Sequence, residues 1–284
     1  MRTQKIAIIG LGLIGGSMGL LLRRRKAEYE VIGLSRSQEK LNRAREIGVI
    51  DWGSVVPEDV LTKADLVVIA TPVSLIPFWA EECERMAKPG TIVTDVGSTK
   101  RDIVRWAEKK SFKRISFVGA HPMAGSHQAG IESAKEELFT DSFTFVTKTR
   151  KTDPAALKTV IAFWKKISRE VILMSPEEHD RIAADISHVP HALASILIHG
   201  TPKESLPFAA AGFMDTTRIS QGDVHLWIDI FLSNKRFVAK GLRRQKKVLE
   251  GFIRNLESGN RNALLKFLEK AAVVRKSLRH CTKA

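Results

Sequence analysis

The sequence predicts an α/β fold over residues 1–174, followed by an all-helical region over residues 175–284. In the first part, short runs rich in β-branched residues alternate with amphipathic stretches, which is typical of a parallel sheet covered by helices. After Ser175 these runs cease, and apolar residues recur at helical spacing instead. The two patterns indicate two domains with the boundary between residues 174 and 175.

Seven short runs are predicted to be strands of a single sheet. They cover residues 5–9, 30–34, 65–70, 91–96, 115–119, 142–147 and 170–174. Helical patterns lie between several of them, for example at residues 75–87 and 154–168. Pro154 suits the first turn of its helix, and Asp153 before it is expected to be the cap.

Three long helices are predicted in the second part. They cover residues 176–200, 225–251 and 260–280. Pro190 must kink the first helix or lie in a local break, because proline cannot donate a helical hydrogen bond. A helical domain with long apolar faces often buries them against a second copy, so we expect a homodimer.

The composition is that of an ordinary globular protein, with 44% hydrophobic and 27% charged residues. No apolar run approaches the ~20 residues that cross a bilayer, so no membrane association is expected. The two cysteines, Cys83 and Cys281, are far apart in the chain. This favours a cytoplasmic protein with neither a disulfide framework nor a metal site.

The formal net charge is +15, and residues 235–284 alone contain 15 Lys/Arg against 3 Asp/Glu. Such a charge could serve nucleic-acid binding, but no recognised DNA- or RNA-binding motif accompanies it. The basic residues are interspersed with apolar ones at helical intervals. We therefore interpret them as a solvated helix face, and a nucleic-acid partner is not expected.

A glycine-rich loop follows the first predicted strand directly. Gly10, Gly12 and Gly15 form the pattern GxGxxG, and Leu13 and Ile14 lead into a helical run. This arrangement of strand, tight turn and helix binds the pyrophosphate of dinucleotides, since the helix N-terminus offers free N–H groups. The first part is therefore predicted to be a Rossmann-type dinucleotide-binding domain.

The end of the second strand indicates which dinucleotide is bound. NAD enzymes usually place a carboxylate there to bind the ribose 2′-hydroxyl, but this chain has Ser35, Arg36 and Ser37. A guanidinium between two hydroxyls suits a 2′-phosphate, so the expected cofactor is NADP, with NAD possible. Thr71 and Pro72 close the next strand, where the dinucleotide would cross the sheet edge.

Two polar segments follow later strands, and a third opens the helical region. Residues 95–100 and 119–125 come after the fourth and fifth predicted strands, and residues 186–191 include His188 and His191. Open α/β sheets bind ligands at the carboxyl ends of their strands, where the first two segments are expected to lie. His121, in the second segment, is the best candidate for a general base near neutral pH.

The chain resembles the prephenate/arogenate dehydrogenases along nearly its whole length. The resemblance rests on GLGLIGGS at residues 10–17, DVGSTK at 95–100, HPMAG at 121–125 with Gly130 following, SHVPH at 187–191, and GFMDTTR at 212–218 with Trp227 following. Only the first piece is shared by many dehydrogenases. The resemblance implies that a small anionic cyclohexadienol is oxidised and decarboxylated, giving tyrosine or 4-hydroxyphenylpyruvate.

The same resemblance implies roles for individual residues. His121 would accept the proton of the substrate hydroxyl, and Ser98 would help to hold that hydroxyl. Arg218 would bind a substrate carboxylate, for which a bidentate guanidinium is well suited. Further residues are expected in the substrate pocket, namely Ser187, His188, His191, Asp215 and Trp227.

Each role has a simpler structural alternative. Ser98 could only cap the following helix, Trp227 could belong to the core or a dimer interface, and Asp215 could cap a turn or orient Arg218. Which of His188 and His191 faces the pocket stays open. A β-hydroxyacid dehydrogenase, an imine reductase and an NADP-binding regulator are the alternative functions.

Two positions depart from the family pattern. Many relatives carry an acidic residue where His127 stands, and often a polar or basic residue where Met214 stands. Both positions lie close to the expected pocket residues. The choice between prephenate and arogenate therefore stays open, and any inhibition by tyrosine would have to act at the active site.

Overall fold

The computed structural model of the protein describes residues 3–125 and 130–281. Six strands form a parallel sheet. They are β1 (Gln4–Ile9), β2 (Tyr29–Leu34), β3 (Trp52–Ser54), β4 (Leu66–Ile69), β5 (Thr91–Asp95) and β6 (Ile115–Val118). The first five predicted strands are confirmed, and the short strand β3 was not predicted.

The strand order is β3-β2-β1-β4-β5-β6, the order of dinucleotide-binding domains, which reverses between β1 and β4. Side chains of the central strand β1 alternate between two cores. Ile6 and Ile8 pack on one face, and Ala7 and Ile9 pack on the other, each no more than 1% exposed. Burial of each isoleucine contributes about 2 kcal/mol, so helices are expected on both faces.

Helices α1 to α6 connect and cover the strands. They are α1 (Leu13–Arg23), α2 (Gln38–Glu46), α3 (Pro57–Leu61), α4 (Ile76–Met86), α5 (Arg101–Lys110) and α6 (Pro154–Lys165). Asp153 caps α6 as predicted, because its carboxylate accepts a hydrogen bond from the Ala156 N–H at 2.6 Å.

The prediction that residues 142–147 and 170–174 continue the first sheet is wrong. They form β8 (Phe143–Thr147) and β9 (Glu170–Met174) of a second, three-stranded sheet with β7 (Ala120–Pro122). The chain passes from one sheet to the other at Gly119, whose carbonyl accepts the Thr147 N–H at 2.8 Å. A Cβ on Gly119 would lie 2.8 Å from the Thr147 hydroxyl, so only glycine fits this bend.

Beyond Ser175 the described chain is mainly helical, as predicted. The helices are α7 (Pro176–Ala183), α8 (Val189–Gly200), α9 (Ala211–Thr217), α10 (Val224–Ser233), α11 (Lys235–Glu257) and α12 (Arg261–Cys281). A π-helical turn, Ala184–His188, joins α7 to α8 and is the break expected near Pro190.

The helix predicted over residues 225–251 is in fact two helices, α10 and α11, which meet at Asn234. No proline or glycine marks this break, and the Asn234 side chain makes hydrogen bonds described below. The described residues divide into two compact units, one ending at Lys235 and the other beginning at Arg236. None of the helices in the described part of the chain is long and apolar enough to cross a bilayer.

Candidate active site

The glycine loop has the geometry that pyrophosphate binding requires. Gly10 has a φ of 97°, and a Cβ there would lie 2.6 Å from the Ala70 carbonyl oxygen. A Cβ on Gly15 would overlap the Gly10 carbonyl oxygen, so these two glycines serve the turn and the packing of α1 on β1. A Cβ on Gly12 would meet nothing within 4 Å, which leaves the backbone at the start of α1 open to a ligand.

The other predicted cofactor residues lie around this loop. Leu13 and Ile14 are the first residues of α1. Thr71, the second residue after β4, approaches Gly10: a Cβ on that glycine would lie 3.2 Å from the Thr71 methyl group. Pro72 follows it and is exposed.

In the segment after β2 the two hydroxyls make structural contacts and the guanidinium is exposed. The Ser37 hydroxyl caps α2 by accepting the Lys40 N–H at 3.3 Å, and the Ser35 hydroxyl accepts the Ser37 N–H at 3.3 Å. Arg36, between the two serines, is exposed. An exposed cation beside a helix N-terminus is suited to a phosphate group, so these residues fit a dinucleotide with a 2′-phosphate.

His121 lies in β7, directly beyond the bend at Gly119, and is 8% exposed. Its Nδ1 is 2.9 Å from Nε2 of His179 in α7. The Nδ1 of His179 is in turn 2.8 Å from Oδ1 of Asp180. We call this chain of side chains, His121, His179 and Asp180, the histidine relay.

The Asp180 carboxylate is held by the start of α5. Its Oδ1 accepts the Lys100 N–H at 2.7 Å, and its Oδ2 accepts the Arg101 N–H at 3.1 Å. Since both partners can only donate, the carboxylate acts as an acceptor and His179 donates to it through Nδ1–H. His179 Nε2 then accepts from His121 Nδ1–H, and His121 Nε2 carries a free lone pair.

Burial keeps the relay histidines neutral. It is the largest cause that holds the pKa values of His121 and His179 well below 6.5, and the nearby Lys100 lowers both further. Burial also raises the pKa of Asp180, which the N–H donors of Lys100 and Arg101 oppose. A neutral His121 is the form that accepts a proton.

The buried Asp95 carboxylate joins the two polar segments at the sheet edge. Asp95 and Lys100 are fully buried and bonded to each other. Asp95 also accepts the Gly97 N–H at 2.9 Å and the Ala120 N–H at 3.1 Å. One carboxylate thus fixes the segments that carry Ser98 and His121.

Ser98 itself is half-buried, and it does not cap the following helix. Helix α5 begins at Arg101, and its first N–H groups are bound by Asp180. The capping alternative for Ser98 is therefore wrong, because the carboxylate from α7 occupies that place.

His188 and His191 both lie beside Trp227 and are buried, 1% and 5% exposed. The His191 ring stacks on the Trp227 indole at a centroid distance of 3.5 Å, and the His188 ring meets it edge-on at 6.2 Å. Burial lowers the pKa of His188 to about 4 and lowers the pKa of His191. Ser187, in the π-helical turn, is half-buried.

His191 and Trp227 also line a cleft of about 320 Å³ between α8 and α10. It is lined mainly by apolar side chains, including Ile198 and Phe231. The Trp227 indole stacks on His191 and is half-buried, so it is neither a core residue nor fully exposed.

Arg218 and Asp215 are exposed, and within the described part of the chain neither forms a hydrogen bond or ion pair with His121, His188 or His191. Asp215 lies in α9, Arg218 opens a 3₁₀ turn, Arg218–Gln221, that packs against α8, and Met214 is 52% exposed. His127, the other departure from the family pattern, lies outside the described residues.

Sequence reasoning missed His179, Asp180, Lys100 and Asn234. A signal existed for the first two: a His-Asp pair follows directly on the first turn of a helix that begins where a predicted strand ends. Asn234 was recognisable only as a polar residue within an apolar helical pattern.

The sheet order, the glycine loop and a histidine relay beyond the strand ends define a dinucleotide-dependent dehydrogenase. Family models agree over most of the chain. Residues 18–173 match the nucleotide-binding domain of prephenate dehydrogenase, and residues 175–270 match the dimerization domain of prephenate dehydrogenase. The chain therefore belongs to the prephenate dehydrogenase family.

Individual relatives are similar to it across both domains. Prephenate dehydrogenase of Bacillus subtilis is 40% identical over 81% of this chain, although the chain spans only 64% of that relative's length. The structure of prephenate dehydrogenase from Aquifex aeolicus in complex with hydroxyphenyl propionate and NAD+ has a TM-score of 0.90 at 32% identity, covering 98% of this chain and 99% of the other. Synechocystis arogenate dehydrogenase has a TM-score of 0.82 at 30% identity, covering 97% and 100%.

Proposed function

We propose that the protein oxidises and decarboxylates prephenate, arogenate or both, with NADP as the hydride acceptor. The observation that carries the proposal is the histidine relay, which leaves the Nε2 lone pair of His121 free at the end of the sheet that holds the glycine loop. Bound nicotinamide would take the hydride from the carbinol carbon. Loss of carbon dioxide then makes the ring aromatic, so the reaction does not reverse.

His121 is the proton acceptor in this proposal. Its neutral Nε2 takes the proton of the substrate hydroxyl while the C–H bond of the same carbon breaks. The positive charge that forms on its ring is stabilised by the hydrogen bond to His179, which in turn donates to the Asp180 carboxylate. Ser98, on the loop that Asp95 fixes beside Ala120, would hold the same hydroxyl.

Arg218 would bind a carboxylate of the substrate, and Asp215 would orient it. Ser187, His188, His191 and Trp227 would form the rest of the pocket. The relatives differ in their named substrates: that of Bacillus is a prephenate dehydrogenase and that of Synechocystis is an arogenate dehydrogenase. Both substrates are therefore part of the proposal.

NADP is proposed because Arg36 stands exposed where a carboxylate would favour NAD. The solved Aquifex aeolicus relative was bound to NAD+, so the two cofactors have to be compared directly. Arg36→Ala should weaken NADP binding and leave NAD binding unchanged, with Arg45→Ala on α2 as a matched surface control. Equal affinity of both variants for NADP would remove the argument.

The reaction is tested by following reduced cofactor at 340 nm with prephenate or arogenate, each offered with NADP or NAD. Turnover of either substrate supports the proposal, and the preferred pair identifies substrate and cofactor. Folded protein that binds NADP but turns over no pair would contradict it. A β-hydroxyacid or imine substrate would then be tested next.

We also propose that the protein acts as a cytoplasmic homodimer, with residues 1–174 binding the dinucleotide and residues 175–284 forming the helical domain. The match of residues 175–270 to a dimerization domain supports this assembly. The apolar side chains exposed on α12, such as Phe267, Val274 and Leu278, support it as well. A monomeric mass by light scattering at micromolar concentration would contradict the dimer.

A further inference from the structure

Asn234 stands at the break between α10 and α11 and is 3% exposed. Its amide nitrogen Nδ2 is 2.8 Å from the Asp180 backbone carbonyl oxygen. The same nitrogen is 3.1 Å from Nδ1 of His188. Asn234 therefore joins the helix that carries the relay to the buried histidine beside Trp227.

These two contacts determine where the proton of His188 lies. A carbonyl oxygen only accepts, so the atom of Asn234 that faces Asp180 must be the NH2 group and not the amide oxygen. The second hydrogen of that group is then available to His188, and Nδ1 of His188 must accept it. A neutral His188 consequently carries its proton on Nε2.

The Nε2–H group of His188 has no hydrogen-bond partner among the described residues, although the side chain is 1% exposed. A buried donor without a partner is unfavourable, so the His188 N–H calls for a partner that the described residues do not supply. Through Asn234, His188 is joined to the backbone of Asp180, which ends the histidine relay. The unpartnered donor thus belongs to the same hydrogen-bonded network as the proposed proton acceptor.

We propose that Asn234 is a positioning residue that holds His188 as the Nε2–H tautomer, and that this N–H group donates a hydrogen bond to an oxygen of the bound substrate. The second half rests on the proposed function. Asparagine suits this role because it donates to Nδ1 without adding charge. An aspartate of the same shape would accept from Nδ1–H instead and would turn the Nε2 lone pair towards the substrate.

The tautomer is measured first, without substrate. Full-length protein labelled with 15N-histidine is examined by long-range 1H–15N correlation, and the His188 signals are identified by their absence in His188→Gln. We expect His188 to be protonated on Nε2 in the natural protein and on Nδ1, or on both nitrogens, in Asn234→Asp. Protonation on Nδ1 in the natural protein would overturn the first half of the proposal.

Kinetics then test the hydrogen bond to substrate. Asn234→Asp should raise KM for the accepted substrate about tenfold with a much smaller change in kcat, because a bond present in both ground and transition states affects binding alone. Ser233→Ala is the matched control, since it removes the 3.1 Å bond between Ser233 and Thr99 at the same helix end without contacting His188. An unchanged KM in a variant whose tautomer has changed would overturn the second half.

If Asn234→Asp does not fold, two substitutions of His188 replace it. Gln retains an N–H donor near the position of Nε2 and should keep more of the affinity than Leu, which retains none. Equal KM values for the two would contradict donation to substrate. Absence of turnover in the natural protein would contradict the proposed function and, with it, the second half, while the tautomer measurement stands independently.

Discussion

The glycine loop and the histidine relay are built in opposite ways. The loop is one contiguous segment, residues 10–15, and it works through the side chains that it lacks. The relay joins His121 in β7 to His179 and Asp180 in α7, and 58 residues separate the two histidines. It depends on the side chains that tertiary structure brings together.

The two regions therefore control different properties of the protein. Side chains added to the loop glycines fill space that the backbone leaves open and should affect cofactor binding or the packing of α1. Changes in the relay alter proton positions and should affect turnover, with little effect on cofactor affinity. Three predictions test this separation, beginning with the largest expected effect, and a fourth concerns the buried His188 beside Trp227.

Removing the proposed base should have the largest effect. His121→Ala should lower kcat by about 10²–10⁴-fold, because proton transfer then lacks a positioned acceptor. Dinucleotide affinity, measured by fluorescence titration, should not change. His225→Ala, which removes an exposed histidine of α10, is the control. A loss of less than about a hundredfold at unchanged stability would show that His121 is not the base.

Interrupting the relay at its far end should cost about a hundredfold in kcat, the lower limit for a lost general base. Asp180→Asn replaces the carboxylate that accepts from His179 with an amide, whose NH2 group can donate to His179 Nδ1. Each relay histidine could then carry its proton on Nε2 instead of Nδ1. Asp102→Asn is the matched control: it lies in the first turn of α5, the helix that Asp180 caps, and its side chain is 63% exposed. Urea unfolding measures the stability lost with the cap that Asp180 provides for α5, so this loss can be separated from the effect on kcat. A kcat equal to that of the control would refute the relay.

Two alanine substitutions in the loop should have different effects. Gly12→Ala places a methyl group in open space at the start of α1, so the dinucleotide Kd should rise about tenfold. The free energy of unfolding should change by less than about 1 kcal/mol. Gly15→Ala should instead destabilise the protein by about 1–3 kcal/mol, because its methyl group overlaps the Gly10 carbonyl. Equal effects of both on stability would contradict the assignment.

The smallest effect is on stability at mildly acidic pH. The pKa of His188 is lowered to about 4 by burial, so this group binds a proton more weakly in the folded protein than in the unfolded chain. The stability that comes from this difference in proton binding is fully present above pH 6.5. As pH falls from 6.5 towards 4, the free energy of unfolding decreases by about 1 kcal/mol per pH unit.

Urea unfolding at pH 6.5 and 5.5 measures this loss. His188→Leu should show a shallower dependence on pH, whereas Gly12→Ala should show the dependence of the natural protein. An unchanged slope in His188→Leu would mean that burial does not lower the pKa of this histidine.

The sequence was sufficient for the elements whose signals are local. β1 and β2 follow from apolar runs and the glycine loop from residue spacing, so their positions were predicted within one residue. It failed for β8 and β9, because a short apolar run does not specify which strand becomes its neighbour. That choice depends on the bend at Gly119, where two segments far apart in sequence approach closely.

The site shows the same division. His121 was recognisable because it follows a strand, but its partners His179 and Asp180 are defined only by distance in space. The break at Asn234 was missed for a related reason. The local sequence favours one continuous helix there, and the hydrogen bonds to Asp180 and His188 that accompany the break are tertiary.

The π-helical turn, Ala184–His188, sets the rotational phase of the helix that contains the site histidines. Each residue of an α-helix turns the chain by about 100°, so side chains nine positions apart, such as His179 and His188, would point in opposite directions. The wider turn accommodates an additional residue and removes about 100° of this rotation. A regular α-helix of the same length would instead rotate His188 by about 100°, away from Asn234. The site therefore depends on the π-helical conformation of this segment as much as on its composition.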